Sequence, residues 1–382
     1  MTTSSFSVAS GSFRLVVAIV IFAAIAPAML MTAPAIATEL ATRWQLGNAQ
    51  IGWLFFVELG AMSLATLPAY AWQSRCSWRH VALLAVLVAI LGNLGSAWAQ
   101  QYSTLVAFRF VTALANGTLM ILCIASAAAT PNPSRIYGLW VLGQLVFGAV
   151  GLAILPTLFT HYGLAGSYVV LALLTLVAAP LTSAFAAGRG PNGGNRDRHL
   201  PSRAQLAGLL AVLAFYLAIS GIWTFIASLA QAAGIDPGLS TPVLAAATIA
   251  GIAGAALATL LGQRAPRLLA LFCGYLLLAA GILLLVGVPS YWRFAMAALL
   301  FKFTWTFVLP FVLAVLADLD RGGALMNHTN LVIGGGLALG PLVAGQVFDQ
   351  QGSTALLTAA LVAAGLSLGL ILSIARTSSK EA

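Results

Sequence analysis

Residues 102–128 read YSTLVAFRFVTALANGTLMILCIASAA. The run holds one charge, Arg109, and no proline. A bilayer is crossed by roughly 20 mostly apolar residues in a helix, and this run is longer than that. Its apolar residues do not alternate with polar ones, which excludes a strand of a membrane barrel. A helix that is apolar all round must be covered by protein or by lipid.

The same pattern recurs outward in both directions. It predicts twelve spans: 14–34, 49–71, 80–99, 102–128, 137–156, 165–185, 205–230, 240–261, 268–288, 292–317, 325–347 and 353–375. The composition agrees, with 61% hydrophobic residues and 7% Asp, Glu, Lys and Arg, against about 25% charged in soluble domains. A mean hydropathy of +1.01 excludes a water-soluble enzyme, and disorder would need few apolar residues and much charge. The first span has a competing reading, because Arg14, an apolar run and Ala35-Ile36-Ala37 also fit a secretory signal peptide. The run continues past Met31, and removing it would leave an odd number of spans. Cys76, Cys123 and Cys273 form no paired spacing, so no disulfide is expected.

Most loops are short. The longest, 186–204, is rich in Gly, Pro and Arg and lies midway along the chain. It reads as a flexible cytoplasmic linker between an N-terminal six-helix bundle (14–185) and a C-terminal one (205–375), with tails at 1–13 and 376–382. With the N-terminus inside, thirteen Lys and Arg residues fall on the cytoplasmic side and two, Arg43 and Arg293, on the other; Arg109 and Lys302 lie within spans. That asymmetry orients the chain as a multi-pass protein of the cell inner membrane with both termini cytoplasmic. It also accounts for the net charge of +9 through the anionic leaflet, with no nucleic acid needed.

The two halves echo each other. Arg75 and Arg79 in the loop after span 2 correspond to Arg264 and Arg267 after span 8, Phe108-Arg109-Phe110 to Phe301-Lys302-Phe303, and Arg135 to Arg321, at offsets of 186 to 193 residues. In these features the chain resembles the major facilitator superfamily over almost its whole length. The family's loop between spans 2 and 3 is matched at Arg75 and Arg79, with Ser74 and Ser77 in place of the usual Asp and second Gly. Its span-4 signature appears as Arg109, Ala113, Ala115 and Gly117. Span 5 has Gly143, Gly148 and Gly151 without the antiporters' Gly-Pro pair, which occurs instead as Gly340-Pro341 in span 11.

The resemblance implies an all-α membrane protein of twelve helices in two pseudo-symmetric bundles. It implies that spans 1, 2, 4, 5, 7, 8, 10 and 11 line a central cavity while 3, 6, 9 and 12 face lipid, and that the protein works as a monomer.

A charge at mid-bilayer costs at least about 2.5–3.5 kcal/mol on insertion scales, so Glu58, Arg109 and Lys302 mark a candidate site for substrate or proton coupling. Gln144, Trp223, Trp305, Asn327, His328 and Asn330 lie on the same set of spans. Each has a plainer reading: Glu58 as a structural partner of Arg109, the tryptophans as packing, His328 as a hydrogen-bonding residue at the cytoplasmic edge. Arg75, Arg79, Arg264 and Arg267 are candidates for cytoplasmic gate loops. Gly251, Gly254, Gly336 and Gly340 read as sites of close helix approach. Gly365-Leu366-Ser367-Leu368-Gly369 matches a hydrolase pattern, but inside a membrane span with no strand before it. Asn116-Gly117-Thr118 and Asn327-His328-Thr329 match the glycosylation pattern by chance. No phosphate-binding loop and no metal-ligand spacing is present, so no cofactor is expected beyond a proton as coupling ion.

The expectation is therefore a secondary transporter moving a small organic solute, anionic or amphipathic, by alternating access. The other readings are a drug or metabolite efflux antiporter of the same fold and a non-transporting membrane sensor.

Overall fold

The computed structural model describes residues 4–186, 202–262, 266–319 and 324–381, without the side chains of 4–12, 70, 134, 324, 326, 327 and 375–381. Most of the linker, Arg264 and Arg321 lie outside the described residues.

The described residues are helical, with no strand among them. Span 1 is split into α1 (Ser4–Ile25), α2 (Ala28–Met31) and α3 (Ala33–Arg43), and span 2 into α4 (Asn48–Leu64) and α5 (Thr66–Trp72). Each break lies at or within a turn before a proline, Pro27, Pro34 or Pro68, where the missing N–H leaves a carbonyl one turn earlier without its usual donor. Spans 3 and 4 are α6 (Trp78–Trp98) and α7 (Tyr102–Ala128). Span 5 and most of span 6 lie within α8 (Pro133–Ala178), span 6 finishing in a 3-10 helix (Ala179–Ala184), and spans 11 and 12 lie within α13 (Ala324–Glu381); between them come α9 (Arg203–Ala232), α10 (Pro237–Leu261), α11 (Arg267–Leu283) and α12 (Tyr291–Leu319). The two long helices each reverse at one glycine, Gly163 (φ 60°) and Gly352 (φ 81°), in backbone conformations that side chains disfavour. These turns are 189 residues apart in the sequence, within the offset of the repeat. Counting each long helix twice gives twelve spans.

The predicted end of span 1 at residue 34 is too early, because α3 continues to Arg43. The tails expected at 1–13 and 376–382 are helical where they are described. Residues from Ser4 onward already belong to α1, and α13 continues to Glu381. The end of the linker is a helix cap: the Ser202 hydroxyl accepts from the Gln205 N–H while the Gln205 side chain accepts from the Ser202 N–H, a reciprocal capping box.

Two compact units are distinguishable. The first comprises residues 1–31, 57–148 and 157–195; the second comprises 32–56, 149–156 and 196–382. The core of the first contains Phe22, Trp78, Val86, Leu119, Leu122 and Phe185. In the second, α9 is buried along most of its length and packs on α13 and α3, while α10 packs on α12.

Within this second unit the small residues act as expected. A Cβ on Gly254 would lie 2.2 Å from the Phe303 carbonyl oxygen, and one on Gly340 would lie 1.9 Å from the Ser220 hydroxyl, so no side chain fits at either. Exposed large apolar residues occur on spans 3, 6, 9 and 12, such as Leu87, Leu173, Leu276 and Val362, and equally on spans 5, 8 and 11, such as Val146, Ile249 and Leu331, so exposure alone does not single out the four spans expected to face lipid. Hydroxyls inside the spans bond to carbonyls of their own helices, as Thr112 does to Phe108 (2.7 Å), Thr224 to Ser220 (2.9 Å) and Thr248 to Leu244 (3.0 Å), which satisfies them without water.

Candidate functional site

Two clusters of buried polar side chains stand out, one in each unit. In the first, Glu58 on α4 and Arg109 on α7 are both 1% exposed. Arg109 donates from Nε to Glu58 Oε2 at 3.0 Å and from Nη2 to Glu58 Oε1, a two-armed ion pair. Its Nη1 donates to Asn93 Oδ1 on α6 at 2.8 Å. The guanidinium carbon lies 4.9 Å from the centroid of the Tyr168 ring, within reach of a cation–π attraction. The Tyr168 hydroxyl is buried with no hydrogen-bond partner among the described residues.

In the second cluster, Lys302 on α12 is 2% exposed. Its Nζ lies 3.8 Å from the ring centroid of Trp223 on α9 and 4.0 Å from that of Trp305. The two indoles meet edge to face, at 6.3 Å and 79°, so the ammonium sits in an aromatic corner. Such contacts contribute about 2 kcal/mol or more when desolvated. The described residues contain no ion pair to Lys302. The approach of α10 is what confines it: a Cβ on Gly251 would lie 3.2 Å from Lys302 Cγ, and the Thr306 hydroxyl donates to the Gly251 carbonyl at 2.6 Å.

The other predicted residues are dispersed. Gln144 Nε2 donates to the Ala23 carbonyl at 3.0 Å, the acceptor that Pro27 cannot fill. Asn116, from one of the chance glycosylation matches, donates to the neighbouring Ala26 carbonyl at 3.2 Å. These two amides satisfy the kink in span 1. His328 and Asn330 are exposed near the start of α13, and the side chain of Asn327 is outside the described set. Of the gate-loop arginines, Arg75 and Arg79 are exposed, the Arg79 N–H donates to the Ala186 carbonyl at 3.1 Å, and Arg267 pairs with Asp318. Ser367 of the hydrolase-like pattern donates to the Ala211 carbonyl at 2.7 Å and meets the Tyr275 hydroxyl at 2.6 Å.

Three polar residues escaped the sequence reading. Asn93 and Tyr168 belong to spans 3 and 6, which the resemblance assigns to lipid; an Asn inside the mostly apolar span 3 was the available signal. Glu39 is 7% exposed, so Glu58 is joined by a second buried carboxylate. Ending span 1 at residue 34 had placed Glu39 in a loop.

The model of the Major Facilitator Superfamily matches residues 16–341. The chain belongs to this superfamily. No curated protein matches it. Among solved structures, a mutant of the nucleoside transporter NupG is similar with a TM-score of 0.70 at 12% identity, covering 95% of this chain and 99% of that one. A bacterial homologue of the human lysosomal transporter Spinster, inward-facing and occupied, is similar with a TM-score of 0.67 at 15% identity, covering 95% and 94%. At these identities the likeness shows the fold. The protein is thus a multi-pass membrane transporter of the superfamily, and both polar clusters lie on its spans.

Proposed function

We propose that this superfamily member is a secondary active transporter that carries a small organic anion, or an amphipathic solute with an anionic group, across the inner membrane by alternating access. The single observation that carries the reading is Lys302, a buried ammonium held by Trp223 and Trp305 without a carboxylate partner among the described residues. A cation inside an apolar bundle favours an anionic partner, and a carboxylate or phosphate on the solute supplies one. The indoles add apolar faces for the rest of the solute.

The proposed coupling ion is the proton, with Glu58 as the group that carries it. Protonating Glu58 removes the charge that holds both arms of Arg109, so proton arrival and the geometry of the pair are linked. A second reading, that the pair only clamps its unit, is favoured by Asn93 and Tyr168, which complete the surroundings of Arg109 from spans 3 and 6. Proteoliposomes under an imposed pH gradient separate the two. If Glu58 carries the proton, Glu58→Gln abolishes gradient-driven accumulation while exchange of solute persists. Gradient-driven accumulation that survives in Glu58→Gln removes Glu58 from the coupling path. The proposed arrangement is a monomer with both termini cytoplasmic.

A further inference from the structure

Asp349, at the end of span 11, bonds to the start of span 2. Its Oδ1 accepts from the backbone N–H of Asn48 at 3.0 Å and from Asn48 Nδ2 at 2.8 Å, and its Oδ2 accepts from the N–H of Ala49 at 2.7 Å. The first N–H groups of a helix lack partners within it, and the helix dipole makes that end positive. The preceding residue usually caps such a helix with its own side chain. Here that residue is Gly47, which has none, and the cap comes from about three hundred positions along the chain.

The backbones around this cap touch. A Cβ on Gly345 would lie 2.2 Å from the Asn48 carbonyl oxygen, and one on Gly52 would lie 2.3 Å from that of Pro341. The two glycines therefore allow α13 and α4 to close on each other over two turns, with Asp349 fastening the end. Asp349 is exposed and Asn48 half-buried, so water can take over each of these hydrogen bonds when the contact opens.

We propose that Asp349, Gly345 and Gly52 form a releasable clasp at the membrane face opposite the basic loops. It joins a span of the first sequence half to a span of the second, and it favours the state in which that face is shut. The inference rests on the transporter reading above, since only a cycle that separates the halves gives the clasp something to hold. Asp349 is a positioning residue here, and it makes no contact with solute in this assignment.

The test uses full-length protein in which Cys76→Ser and Cys273→Ser remove the exposed thiols and Ile51→Cys introduces a buried probe in the first turn of α4. Alkylation of that probe by a membrane-impermeant maleimide reports opening. Loss of a helix cap corresponds to about a twofold to thirtyfold change in an equilibrium, and Asp349→Ala should raise the alkylation rate within that range. Asp349→Asn, which keeps an acceptor but loses the charge, should fall between; it also serves if the alanine variant does not fold. An unchanged rate in both variants overturns the clasp. In a second arm, oxidising the Asn48→Cys, Asp349→Cys pair should stop solute flux, and reductant should restore it; full flux while cross-linked also overturns it. Alkylation needs no solute, so a failure of the transporter reading leaves the first arm interpretable.

Discussion

Removing one member of the Glu58–Arg109 pair should be far more damaging than removing both. Each residue is 1% exposed, so neither charge reaches water. In Glu58→Gln the guanidinium loses its counter-charge and keeps only the Asn93 bond and the Tyr168 ring. Breaking a buried pair by removing one partner typically costs about 3–5 kcal/mol, whereas replacing both by neutral groups is often close to neutral. The expected pattern is a loss of about 3–5 kcal/mol in Glu58→Gln and in Arg109→Gln, and a loss under about 2 kcal/mol in the double variant. Unfolding of purified protein in mixed micelles, followed by tryptophan fluorescence across a denaturing-detergent titration, gives the four stabilities of the cycle. If the two single losses simply add in the double variant, the side chains do not hold each other and the description of this cluster is wrong.

Three further expectations concern packing and orientation. Gly254→Val should lose about 1–3 kcal/mol, because its Cβ meets the Phe303 carbonyl oxygen, while Gly365→Ala, with nothing within 4 Å of the added carbon, should be neutral or gain up to about 1 kcal/mol from helix propensity; thermal melts in detergent compare them. Tyr168→Phe should leave stability within about 1 kcal/mol because its hydroxyl has no partner among the described residues, whereas Asn93→Leu should lose about 1–3 kcal/mol by orphaning an Arg109 donor. Cys76 is exposed in the loop after span 2, and the proposed orientation has an impermeant maleimide label it in inside-out vesicles and not in right-side-out ones.

The sequence carried the architecture well where hydropathy alone decides it. Span 4 was read at the bounds of α7, Tyr102–Ala128, and the breaks at Gly163 and Gly352, which the sequence reading did not single out, fall at the offset of the repeat. Span 1 was cut short because polar Thr38 and Glu39 lower the local hydropathy, although the helix continues to Arg43. The two charged residues of the first cluster were legible from their cost in a membrane. Their companions were not, since the side of a span that a lone Asn or Tyr occupies depends on packing against other helices. Gln144 was legible as unusual and misleading as to why, because its partner is a carbonyl opened by a proline on another span. The aromatic corner around Lys302 needed Trp223, from a different span, and only the fold brings it there.

The central claim is that Lys302 gives this transporter its affinity for an anionic solute. The most direct measurement is initial uptake into proteoliposomes of a panel of small carboxylates and phosphate esters, alongside neutral and cationic analogues, by wild-type protein and by Lys302→Gln of equal reconstituted amount. The account predicts saturable uptake of at least one anion by wild type, no competition from cations, and a loss of at least about tenfold in kcat/KM in Lys302→Gln, equivalent to one charge-assisted hydrogen bond. Saturable uptake of a cation, or anion uptake unchanged by Lys302→Gln, would contradict it.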